Sequence, residues 1–169
     1  MRYEYALIIR TILCFIPVKF LFIILAPITL YLSYLTLLFY KPLISGNSLI
    51  INSIPLNFIE ACIASYAYYL IIILTLLTKD IKLKDRIKII LIGSLLIMGM
   101  NILRIFILVI VVLNYGFYWF DIIHLTFWKF LSGIYVAFVW IILVKKFNIK
   151  SIPVYSDLQY LFRRSLFKK

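Results

Sequence analysis

An all-α, multi-pass transmembrane bundle is the fold class this sequence predicts, with about four spanning helices and an interfacial segment at each end. Three observations predict it. Hydrophobic residues make up 66% of the 169, where a soluble domain averages about half, and mean hydropathy is +1.12. Charged residues are 14% of the chain and fall mostly between or beyond the apolar runs, as expected if those runs cross lipid. The formal net charge of +12 collects in loops that flank the runs, which is the positive-inside signature rather than a nucleic-acid surface. One integral membrane domain therefore covers 1–169, with a core at 49–144 and an amphipathic tail at 145–169.

Residues 1–40 are apolar apart from Arg2, Glu4, Arg10 and Lys19, too long for one span and too short for two with a turn. A basic interfacial piece up to about Pro17 and a first helix from about Phe20 to Phe39, with Pro27 as a kink, fits best. The apolar stretch is longer than a signal peptide's and no small-residue cleavage site follows, so it reads as uncleaved. Residues 41–61 break the pattern with prolines, a Ser-Gly-Asn turn and short runs such as Ser48–Asn52 that read as strands. Asn57 with Glu60 three residues later matches a helix start, with Asn57 as N-cap.

A second helix then runs to about Thr78. The KDIKLKDRIK loop after it is mainly basic, which assigns it to the cytoplasm. A third span from about Ile87 to Leu113 returns outward, and Asn114–Asp121 (NYGFYWFD) reads as a short aromatic turn at headgroup level. The fourth span, about Ile122 to Val144, closes at Lys145, Lys146 and Lys150. In the tail, Ser156 reads as a cap, and Leu158, Leu161, Phe162 and Leu166 share a face opposite Arg163, Arg164, Lys168 and Lys169. That pattern suits a helix lying on the anionic inner leaflet. Both termini are then cytoplasmic in a multi-pass protein of the cell membrane.

Several chemistries have no residues to run on. Cys14 and Cys62 are too few for a disulfide framework and lack metal-ligand spacing. With one histidine and six acidic residues, mostly scattered in loops, no cluster suits zinc or iron, so no metal is expected. The five glycines form no phosphate cradle, and no nucleotide cofactor is expected.

The residue that demands an explanation is Arg104, a cation inside an apolar span. Such a charge costs at least ~2.5 kcal/mol on insertion scales, so it needs a partner. At ~1.5 Å per residue it lies roughly 26 Å along a helix that enters from the cytoplasm at Ile87, in a core about 30 Å thick. Cys62 opens the second helix and His124 the fourth, both from outside, so all three share a depth on the outer side. A thiol at a helix start beside a guanidinium is expected to have a lowered pKa, as suits a nucleophile. His124 within reach is a proton shuttle, and Arg104 a donor to a developing oxyanion. This set suits acyl transfer. Asn101, one turn before Arg104, and Ser65, one turn after Cys62, are supporting candidates, and Asp121 is placed to orient His124.

At these positions the chain resembles the exosortase and archaeosortase family of membrane cysteine transpeptidases. The likeness rests on Ala61-Cys62 at a helix start after an extracytoplasmic loop, Asn101-Ile-Leu-Arg104 in the next helix and His124 opening the one after, and it covers about Leu49 to Val144. It implies Cys62 as nucleophile, Arg104 as thiolate or oxyanion stabiliser and His124 as general acid and base. The implied substrate is the C-terminal sorting signal of an exported protein, a short motif followed by a membrane helix and a basic tail. The implied acceptor is a membrane lipid or another amine. The family's cysteine is usually followed by a small hydroxyl residue and glycine, where this chain has Ile63 and Ala64.

Each residue alone has a plainer reading. Cys62 suits a packed helix, Arg104 a clamp on loop carbonyls, His124 an interfacial anchor and Lys129 a snorkelling cation. Their joint occurrence favours the enzyme. The alternatives are a non-enzymatic membrane subunit or transporter component, or a family member that binds sorting signals without cleaving them.

Overall fold

The computed structural model describes residues 3–164. Arg2, Leu166, Lys168 and Lys169 lie outside the described residues. The chain is mostly helical: α1 (Tyr3–Leu13), α2 (Val18–Thr36), α3 (Glu60–Ile63), α4 (Ser65–Leu76), α5 (Leu83–Tyr115), α6 (Phe117–Thr126), α7 (Ser132–Lys146) and α8 (Tyr155–Arg164). A five-residue π-helical segment, Phe127–Leu131, joins α6 to α7 without a break.

Among the described residues, three helices are long and apolar enough to cross a membrane: Val18–Thr36, Leu83–Tyr115 and Phe117–Lys146. The expected four are thus corrected to three long ones and a shorter apolar one, α4. What should have been one second span is interrupted at Ala64, which is left-handed at φ 58° and ψ 33° and separates α3 from α4. Two further boundaries move. The aromatic stretch after Asn114 is helix, because Gly116 at φ +81° makes the turn alone and α6 begins at Phe117. The tail helix begins at Tyr155, and Ser156 takes a hydrogen bond from the Ile152 N–H (3.0 Å) from inside it.

The all-α expectation is also corrected. β1 (Leu43–Ser45), β2 (Ser48–Ile51) and β3 (Ile54–Asn57) form an antiparallel sheet in the order β1-β2-β3. Ser45 pairs with Ser48 around Gly46, and Ile51 with Ile54 around Asn52 and Ser53, both of which have positive φ. Two-residue hairpin turns need that backbone, because its twist matches the strands. Ser48–Asn52, expected to pair, supplies β2. Asn57 is not a helix cap: it ends β3 opposite Ser48, and the residue capping α3 is Ile59.

Leu49, Ile51 and Phe58 bury against Leu30, Leu37, Ile63, Ile105 and Val109, so the sheet closes one end of the bundle. A second cluster, including Tyr68, Ile71, Ile89, Ile97, Val136, Val139 and Leu143, fills the bundle below. Gly93 sits where α4, α5 and α7 come closest, and a Cβ there would lie 2.9 Å from Ile71 Cγ2 and 3.2 Å from Leu143 Cδ1. Because Ile71 is branched at that point and cannot swing clear, Gly93→Val should cost about 1–3 kcal/mol of stability through overpacking. Unfolding in detergent micelles would read this as an earlier transition.

At the opposite end α1 and α8 meet. Tyr3 O–H donates to the Asp157 carboxylate, Arg10 lies 3.8 Å from the same carboxylate, and the Tyr3 and Tyr160 rings stack edge-on at 4.3 Å. Burial and the Asp157 contact push the Tyr3 phenol up to about 12. Asp157 and Tyr160 of α8 thus face the protein while Leu158, Leu161 and Phe162 stay exposed, a disposition compatible with a lipid surface. Both described ends of the chain lie at this end of the bundle.

Candidate functional site

The break at Ala64 builds the site. It strands the last carbonyls of α3 without intrahelical donors, and α5 supplies replacements: Asn101 Nδ2 donates to the Cys62 carbonyl at 2.9 Å and Arg104 Nη2 to the same oxygen at 3.2 Å. Their spacing of three residues puts both on one face of α5, and both are buried, at 4% and 6% exposure. Three of the expected site residues are therefore brought together directly. The contact falls on the backbone of Cys62, so Arg104 fixes where that residue sits and holds a positive charge beside it.

The Cys62 side chain is half-buried and lines a cleft of about 310 Å³. His124 lines the same cleft from α6, with Phe117 and Phe120 on its own face at the spacings of helical neighbours. Pro55, Leu56 and Asn57 of β3 form the facing wall. Phe120 and His124 have ring centroids 5.4 Å apart, and Nε2 of His124 is buried with no hydrogen-bond partner among the described residues. An imidazole nitrogen left bare in a cleft that also holds a thiol is available to a third group entering it.

Cys62 lies on α3, outside the three long apolar helices, and its thiol departs from expectation. Burial pushes it above its ordinary value, while a backbone hydrogen bond at Ile59 and the Arg104 charge pull it partway back. A four-residue helix has too little dipole to reverse the desolvation. Burial thus favours the protonated thiol over the thiolate.

The remaining expected residues fall differently. Ser65 is wholly buried at the first turn of α4, away from the cleft, with its Oγ unpartnered among the described residues. Asp121 is exposed one turn before His124, near enough for their charges to interact. Arg104 also lines a separate apolar pocket with Asn101, Ala64, Ser132 and Tyr135. Phe117 and Phe120 are wall residues that sequence reasoning passed over, and Asn57, expected as a helix cap, is a third. The two phenylalanines were within reach, since their spacing from His124 places them on its helical face.

No family model matches the chain, and neither curated proteins nor solved structures provide a match to it.

Proposed function

We propose that the chain is a membrane-embedded cysteine transpeptidase or peptidase that cleaves the C-terminal sorting signal of an exported protein, in the manner of the exosortases and archaeosortases it resembles. The observation that carries this reading is that Cys62 and His124, from different helices, line one cleft while Asn101 and Arg104 hold the cysteine backbone in place. The protein then sits in the cell membrane with the sheet end outside and both termini cytoplasmic, following the charge distribution. Anionic lipid meets the tail helix.

The chemistry follows from the groups present. His124 takes the Cys62 proton as the sulfur attacks the scissile carbonyl, which becomes a tetrahedral oxyanion. Collapse breaks the C–N bond, the imidazolium returns its proton to the departing amine, and a thioester remains on Cys62. An amine acceptor, or water, then gives a proton to His124, attacks the thioester and releases the thiol. Arg104 favours the anionic states through its charge while acting as a positioning residue.

The test is the rate at which Cys62 reacts with a membrane-impermeant thiol reagent across pH, on the unmodified chain and on Arg104→Ala. Labelling from outside that shifts to higher pH in Arg104→Ala supports the site, because only the thiolate reacts and the guanidinium charge stabilises it. A Cys62 that stays unlabelled, or titrates alike in both proteins, refutes it and favours a binding subunit.

Ala64 occupies the place of the family's glycine, and it adopts the left-handed backbone that glycine takes at no steric cost. Ala64→Gly is therefore expected to stabilise the protein by about 1 kcal/mol, measured as a later denaturant midpoint, without loss of Cys62 labelling.

A further inference from the structure

The wall of the cleft opposite His124 is an open sheet edge. β3 pairs with β2 on one side, and the sheet order places no strand on its other side among the described residues. The register decides which backbone groups point there. Phe58 N–H donates to Asn47 O at 3.1 Å, and that pair continues the Ser48↔Asn57 register by one step. Hydrogen-bonded and non-bonded pairs alternate along an antiparallel ladder, so Leu56 and Ile54 spend their backbone groups on β2. Pro55 and Asn57 turn theirs outward. Proline suits such a position because its missing N–H is not needed by the ladder.

The outward edge faces the nucleophile: the Cys62 thiol donates to the Asn57 carbonyl, Sγ to O 3.7 Å. The strip therefore offers one donor, the Asn57 N–H, one open acceptor, the Pro55 carbonyl, and the second lone pair of the Asn57 carbonyl, whose first takes the Cys62 thiol. They stand in a cleft whose other walls are aliphatic and aromatic, including Ile105, Leu108 and Phe120. A lipid chain would leave this backbone unsatisfied. An extended peptide would satisfy it while placing alternate apolar side chains against the two walls.

We propose that the substrate binds by strand addition: an extended, apolar peptide segment pairs with the free edge of β3 at Asn57, which sets its scissile carbonyl beside Cys62. This rests on the acyl-transfer reading and supplies its substrate geometry. Pairing at a single residue fixes register, since a peptide slipped by one residue would turn its amide groups away from Asn57.

The experiment uses a short apolar peptide ending in a vinyl sulfone, with a series in which each amide in turn is N-methylated, scored by labelling rate at Cys62. One methylated position should slow labelling about tenfold, the loss of a hydrogen bond and its fit, while the others change little. On the protein side, Asn57→Pro deletes the outward N–H and should slow the parent peptide similarly. Asn57→Ala keeps that N–H and loses the same Ser48 contact to the Asn57 side chain, so slowing in Asn57→Pro beyond that in Asn57→Ala reports the backbone group. A flat methylation scan with Cys62 still labelled overturns strand addition and leaves acyl transfer standing. So does equal labelling by a fatty-acyl vinyl sulfone, which would make the occupant a lipid. If iodoacetamide also fails to label Cys62, the acyl-transfer reading itself fails.

Discussion

Replacing Cys62 with alanine is expected to abolish processing of a co-expressed exported protein whose C-terminus carries a short motif, a membrane helix and a basic tail. The drop should be on the order of 10⁴-fold or more, as for loss of a catalytic nucleophile elsewhere. Folding should survive, because the structure uses the backbone carbonyl of Cys62, not its sulfur, to anchor α3 to α5. Unchanged thermal unfolding in micelles would confirm that the loss is chemical. His124→Asn should lower processing by about 10²–10⁴-fold and flatten its rise with pH, since the imidazole that receives the proton is gone. Processing unaffected by Cys62→Ala would sink the enzyme reading and leave the chain as a binding subunit.

The sequence led to the expectation that Cys62, Arg104 and His124 share one level of the bundle, and in the structure Arg104 bonds the Cys62 carbonyl while Cys62 and His124 line one cleft. That expectation used loop charge for the direction of each helix and the helix rise for how far along it a residue sits. What depth does not give is azimuth, which is why the sequence leaves open what Arg104 touches. In the structure it reaches the Cys62 carbonyl, because the helix ends there. The break itself leaves little trace in sequence: Ile63-Ala64-Ser65 carries no glycine or proline, and a left-handed alanine is imposed by packing. Asn57 misled for a related reason. An asparagine with a glutamate three residues on matches a capping box, but the hairpin residues Asn52 and Ser53 fix a register that keeps Asn57 in the ladder. The first span, its internal Pro27 and the basic approach segment were all placed within a few residues.

Arg86 gives the largest expected effect on stability. Counted by charge, it is one of several cations in a basic loop. In the structure it is buried at 8% exposure in the first turn of α5 and donates to four carbonyls: those of Thr75, Leu76 (2.9 Å), Thr78 (3.1 Å) and Ile81 (3.3 Å). Thr75 and Leu76 are acceptors that α4 leaves open at its C-terminus, Thr78 and Ile81 lie in the connection to α5, and Arg10 adds further bonds to Leu76 and Thr78 at 3.4 and 3.2 Å. One planar guanidinium, with its fork of donors, holds the end of α4, an apolar helix shorter than the three long ones. Arg86→Leu keeps apolar bulk but strands buried carbonyls at about 1–3 kcal/mol each where no water replaces the donor. A loss of at least ~3 kcal/mol is expected, against well under 1 kcal/mol for Lys84→Leu, which is exposed at the same start of α5. Arg86→Lys should recover only part of it, because an ammonium has no planar fork to span four oxygens. Micelle unfolding of the three variants decides the matter. If Arg86→Leu falls with Lys84→Leu, then α4 is held by packing around Ile71 and Gly93, and the guanidinium merely fills space at its end.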